Sequence, residues 1–151
     1  MLTTLVTLAA LSLSWQTATA PARNCSSVKG KFVGRLVKAA PCPPGGLCID
    51  GNLSGGLKGK YAFHVTKQPV PAGEPAPQTI NFFVGASTVT LKNGATLTGI
   101  DTGTIDMPPG LGGFASLITW TSGATGQIRL RGVMNPAAET TSGEYEGTVC
   151  R

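Results

Sequence analysis

The sequence predicts an all-β fold: one antiparallel β-barrel of eight, at most nine, strands, stapled by two disulfides. Three observations predict it. Beyond residue 20 the apolar residues recur with period two in short stretches, and no helical period of 3.6 is sustained. Gly, Asn and Pro punctuate those stretches at the spacing of a closed or nearly closed barrel. The cysteines form an even set, Cys25, Cys42, Cys48 and Cys150, which in an exported chain reads as a disulfide framework.

The elements follow in order. Residues 1–20, "MLTTLVTLAALSLSWQTATA", carry no charge and end in Ala18-Thr19-Ala20 before Pro21. Small residues at the last and third-last positions predict a cleaved signal peptide. The apolar run Leu2 to Leu13 is shorter than the ~20 residues a spanning helix needs. The mature domain is therefore expected at 21–151, in a secreted or periplasmic setting.

The stretch "VKGKFVGRLVK" (28–38) predicts a first strand, with Phe32 and Leu36 opposite Lys31, Val33 and Arg35. Cys42 and Cys48 flank a turn-rich loop, so a local bridge between them is the simplest of three connectivities, leaving Cys25 for Cys150. "CIDGNLSGGLKGKYAFHVTK" (48–67) holds two strands joined near Gly55-Gly56. The four prolines of "QPVPAGEPAP" (68–77) predict a surface loop. Strands are then expected in 78–85 and in 86–106, where Asn93-Gly94 marks a hairpin. After the loop 107–113, the last strands are 114–121, 127–134 and 143–150.

Charge and motif exclude more than they identify. Lys and Arg outnumber Asp and Glu by five but never cluster in a run, which argues against a nucleic-acid footprint. No CxxC pair occurs and His64 is the one histidine, so zinc is not expected. His64 alternates away from Tyr61, Phe63 and Val65 and should face solvent; no serine sits in a nucleophile elbow. The glycines of "SGATGQIRLRG" (122–132) suggest a phosphate cradle, yet Gln127 to Arg131 alternate as a strand, without the helix N-terminus such a cradle uses. Glu144 and Glu146 share a strand face and are expected to pair across strands with Arg129 and Arg131. Threonines 88, 90, 96, 98, 102 and 104 read as β-formers on a solvated face. No catalytic residue, cofactor or metal is predicted.

The order "LSGGLKGKYAF", "FFVG", "LKNGATLTGIDTGTID", "ITWTSGATGQIRLRG", "GEYEGTVCR" resembles the allene oxide cyclase and dirigent barrel superfamily, above all its secreted microbial members. The resemblance implies an eight-stranded barrel with an apolar interior. It also implies a cavity of the kind that positions an oxylipin epoxide or guides phenoxy-radical coupling. The family places functional carboxylates early in the barrel, whereas the strand 28–38 contains no acid, so no catalytic residues carry over. The strand from Thr125-Gly126 to Gly132 is one residue shorter than the family's, which leaves the facing of Arg131 open.

The functional expectation is a small apolar or aromatic ligand held in the barrel by Tyr61, Phe63, Phe82, Trp120 and Tyr145. The alternatives are a non-catalytic structural or interaction module with a filled barrel, and a cyclase- or dirigent-like enzyme. No nucleic-acid partner is expected, nor a membrane partner after leader cleavage; a homo-oligomer, trimer or dimer, is in keeping with the resemblance. An open apolar lumen favours binding or catalysis, and a packed one favours the module.

Overall fold

The computed structural model describes residues 24–38, 42 and 46–151; the expected leader, its cleavage site and residues 43–45 lie outside the described residues. Eight strands run in chain order: β1 (Cys25–Val37), β2 (Cys48–Gly55), β3 (Gly59–Pro71), β4 (Ile80–Leu91), β5 (Thr96–Asp106), β6 (Gly112–Ser122), β7 (Thr125–Asn135) and β8 (Thr140–Cys150). Each pairs antiparallel with the next, and β8 returns to β1 to close the barrel. Both disulfides form as expected, Cys25–Cys150 and Cys42–Cys48. Two disulfides fit an oxidising compartment.

The period-two pattern becomes inside and outside. On β1, Val28 and Phe32 are buried while Lys29, Lys31, Val33 and Arg35 are exposed; on β3, Tyr61, Phe63 and Val65 are buried while Lys60, Ala62 and His64 are exposed. Following register partners once around the barrel from Leu91, through Phe32 and Phe114, brings the path back to β4 at Asn81, ten residues lower. That offset tilts the strands, so inward side chains interleave as a spiral and can fill the lumen. The rings of Phe32 and Phe114 meet edge to face at 5.5 Å, and those of Phe63 and Phe83 at 5.4 Å, the geometry aromatic pairs prefer. Gly132 and Gly143 are register partners, and a Cβ on Gly132 would come within 2.9 Å of the Phe114 ring. Side chains there would displace the aromatic pair.

Two expectations about elements are corrected. Segments 78–85 and 86–91 form one strand, β4, which makes the total eight rather than nine. Gly85 does not break it: its missing side chain leaves room for the Phe63 ring, which a Cβ would approach to 2.4 Å. The proline-rich segment does not leave the sheet at Gln68; β3 continues to Pro71. Register shifts between Val65 and Lys67 and between Lys67 and Val70 interrupt the ladder there, and bulges are where a strand tolerates proline.

The two ends of the barrel differ. One carries only the short connections 56–58, 92–95 and 123–124, and the other the long ones, 38–47, 72–79 and 107–111, together with the short 136–139.

Candidate functional site

Two regions hold polar or reactive groups in an arrangement that packing alone does not explain. The first is inside. Asp101 lies on the inward face of β5, opposite Gly85 of β4 and Ile118 of β6, and only 1 % of it is exposed. Ser87 Oγ donates to Asp101 Oδ2 at 2.8 Å. The Tyr61 hydroxyl lies 3.1 Å from Ser87 Oγ and 3.5 Å from the same Oδ2. Among the described residues, Asp101 Oδ1 has no hydrogen-bond partner, and neither does the buried Nε1 of Trp120. Burial pushes the Asp101 carboxyl above its usual range, while the hydroxyls of Ser87 and Tyr61 at its Oδ2 pull it back in part. Burial, with the Asp101 charge adding to it, pushes the Tyr61 phenol up as well.

The space around this cluster is small. The remaining lumen cavity, lined by Phe32, Tyr61, Phe63, Asp101, Ser116 and Met134 among others, is about 20 Å³. That holds about one water molecule. A carboxyl here is a proton donor or acceptor for whatever reaches it, but nothing larger than water fits beside it without moving the aromatic rings. Asp101 was legible in the sequence through its phase: in "LTGIDTGTI" it falls on the same alternating face as Leu97, Gly99, Gly103 and Ile105. An acid in the apolar phase of a strand is the signal that composition overlooks.

The residues expected to hold a ligand divide. Tyr61, Phe63, Trp120 and Tyr145 are all buried and inward. Phe82 is corrected: it points outward and is 49 % exposed, and its neighbour Phe83 takes the inward position. The Tyr145 hydroxyl donates to the Ser54 carbonyl at 2.8 Å and accepts from the Leu57 N–H at 2.7 Å. It ties the β2–β3 turn to the barrel wall. His64 is exposed, as its phase predicted.

The second region is the outer wall. Arg131 points outward with Arg129, which settles the facing that the short strand had left open. Two cross-strand rows run Lys29–Glu146–Arg129 and Lys31–Glu144–Arg131. The expected Arg131–Glu144 ion pair forms at 2.7 Å, whereas Arg129 and Glu146 are register partners that form no ion pair with each other. A shallow groove of about 610 Å³ follows these rows.

Next to them the wall changes character. The outward positions of β4, β5 and β6 carry Thr, Ala, Val, Ile, Leu and Phe, and the first acid is the half-buried Asp106 at the end of β5. The threonines lie outward as expected, with Thr90 opposite Thr96 and Thr88 opposite Thr98. Phe82 and Ile100, 49 % and 52 % exposed, stand among them. No family model, no curated protein and no solved structure matches this chain.

Proposed function

We propose that the chain is an exported interaction module, a barrel that fills its own lumen and works through its outer wall without catalysis. The observation that carries this reading is the lumen: its rings and aliphatic side chains leave about 20 Å³ of space. Drug-sized ligands occupy pockets of roughly 300–1,000 Å³. Export is supported by the two disulfides and by the leader-like residues 1–20.

Melting of the mature domain against a library of fatty acids and aromatic compounds tests the reading. The expected result is no saturable rise in melting temperature. A ligand binding the native state alone stabilises by RT ln(1 + [L]/Kd), about 2.7 kcal/mol at a hundredfold excess over Kd. A saturable shift abolished by Asp101→Asn would move the function into the lumen.

A second reading keeps a small ligand in the barrel, on the strength of one observation. Asp101 Oδ1 is buried without a partner, and Asp101 lines the cavity. A polar head reaching that oxygen after the rings part would complete its hydrogen bonding. The cyclase- or dirigent-like reading is a special case, and it needs turnover that Asp101→Asn removes.

A further inference from the structure

The outer panel of β4, β5 and β6 lies between two cationic flanks. One register row reads Lys67–Val84–Thr102–Leu117–Arg129 across β3 to β7. The next reads Val70–Phe82–Thr104–Ala115–Arg131, and a third His64–Ala86–Ile100–Thr119–Gln127. Lys60, opposite Thr90, extends the β3 flank. At about 4.8 Å per strand, Lys67 and Arg129 stand roughly 19 Å apart with an uncharged, partly apolar surface between them. The outward residues of the flanking strands include no acid. Acids come one strand further out, as Asp50 on β2 and Glu144 and Glu146 on β8, or at the long-loop end, as Asp106 and Glu74.

We propose that this panel docks on the surface of a lipid bilayer bearing anionic headgroups. Phe82, Val84, Ile100 and Leu117 would enter the interface, with Lys67 and Arg129 set against the headgroups. The proposal rests on the reading that the outer wall is the working surface, and charge complementarity selects the occupant. A second copy stacked face to face would bring cationic flank against cationic flank in either orientation. A nucleic acid would meet its phosphates with cations only at the margins and with exposed Phe82 and Ile100, 49 % and 52 % exposed, at the centre. An anionic bilayer accepts both chemistries at once, because juxtamembrane cations and interfacial apolar groups act on it together.

The docking is peripheral. A barrel that crosses a bilayer presents an apolar band all the way round and a polar interior. Here Lys29, Lys31, Glu144 and Glu146 face outward on β1 and β8, and the interior is the apolar core. The proposal departs from the expectation that the mature chain meets no membrane after leader cleavage.

Flotation of the mature domain tests this, with vesicles of phosphatidylcholine alone and of phosphatidylcholine mixed with phosphatidylglycerol, at low and high salt. The expected result is flotation only with the mixed vesicles, weakened by salt. Phe82→Ser combined with Ile100→Thr, both outward and clear of the core, should lower partitioning at least about tenfold. Lys67→Gln and Arg129→Gln should each lower it about fivefold, while Lys31→Gln, outside the panel, changes it less than about twofold. Absence of flotation, equal flotation with both vesicle types, or panel variants that float like the parent would overturn the proposal. Ligand-dependent melting, run in parallel, separates the two readings. No flotation and no melting shift removes the bilayer alone, whereas a saturable melting shift abolished by Asp101→Asn removes the filled-lumen reading whatever the vesicles show.

Discussion

Replacing Asp101 by Asn keeps the shape of the side chain and removes the carboxyl buried in the lumen. In the native protein its proton is held to higher pH than in the unfolded chain, because burial raises its pKa. Between the unfolded value, about 3.9, and the raised native value, the folded state binds more protons. Stability from this group is therefore complete below about pH 4 and is lost as pH rises through the native pKa. Above that window the parent holds a carboxylate whose Oδ2 is bonded to Ser87 and whose Oδ1 has no partner. Burial penalises a charged carboxylate and not a neutral carboxamide, so Asp101→Asn should be more stable than the parent by about 1–3 kcal/mol at pH near 8. Near pH 4 both side chains are neutral, and the difference should shrink below about 1 kcal/mol. Urea unfolding followed by the fluorescence of buried Trp120 reads both points. Glu139, held low by its bond to Lys38, contributes a slope of opposite sign. It does so equally in both proteins, so their difference is the quantity that counts. Equal stabilities at both pH values, or a variant less stable near pH 8, would refute a strained carboxyl in the lumen.

Cys25→Ser with Cys150→Ser opens a link of sequence separation 125, which the loop-closure model values at about 5 kcal/mol. Opening Cys42–Cys48, of separation 6, should cost only about 2–3 kcal/mol by the same model; urea midpoints compare the two directly. Tyr145→Phe leaves the buried Leu57 N–H without its 2.7 Å acceptor and should cost about 1–3 kcal/mol, read as a lowered thermal midpoint. Because that hydroxyl fixes the β2–β3 turn, amide exchange at residues 55–58 should speed up more than in β5.

Much of the barrel is legible in the sequence because alternation is a local signal. Phe32 and Leu36, and then Tyr61, Phe63 and Val65, fix their faces without knowledge of any neighbour. Two adjacent phenylalanines do not: Phe82 and Phe83 offer the same chemistry to both faces. The choice depends on the phase carried through Ser87, Val89 and Leu91 of the same strand. The continuity of β4 through Gly85 depended on a ring contributed by β3, which no local window contains. The prolines at 69 and 71 were misread for a related reason, since a bulge is a property of the pair of strands. Asp101 was legible by phase, but its partners Ser87 and Tyr61 lie on other strands. The cationic flanks of the outer panel emerge only when β3 and β7 take their places on either side of β4, β5 and β6.

The closure of β8 onto β1 bears on how fast the barrel forms. Seven of its eight strand pairings join consecutive strands and can grow outward from short turns. The β1–β8 pairing needs the two ends of the domain to meet, and closing so long a loop is slow. Until it happens, β1 and β8 are open edges, the surfaces on which unfinished β-proteins aggregate. Cys25 and Cys150 are direct register partners, and beside them Asn24 and Arg151 exchange two backbone hydrogen bonds. Once oxidised, the bridge makes the most distant pairing of the fold a local one and sets its register. A one-residue slip between β1 and β8 would otherwise put Lys29 and Lys31 where Val28 and Gly30 belong, and turn Phe32 outward. Oxidation thus locks the closed barrel in register and keeps β1 and β8 from reopening as free edges.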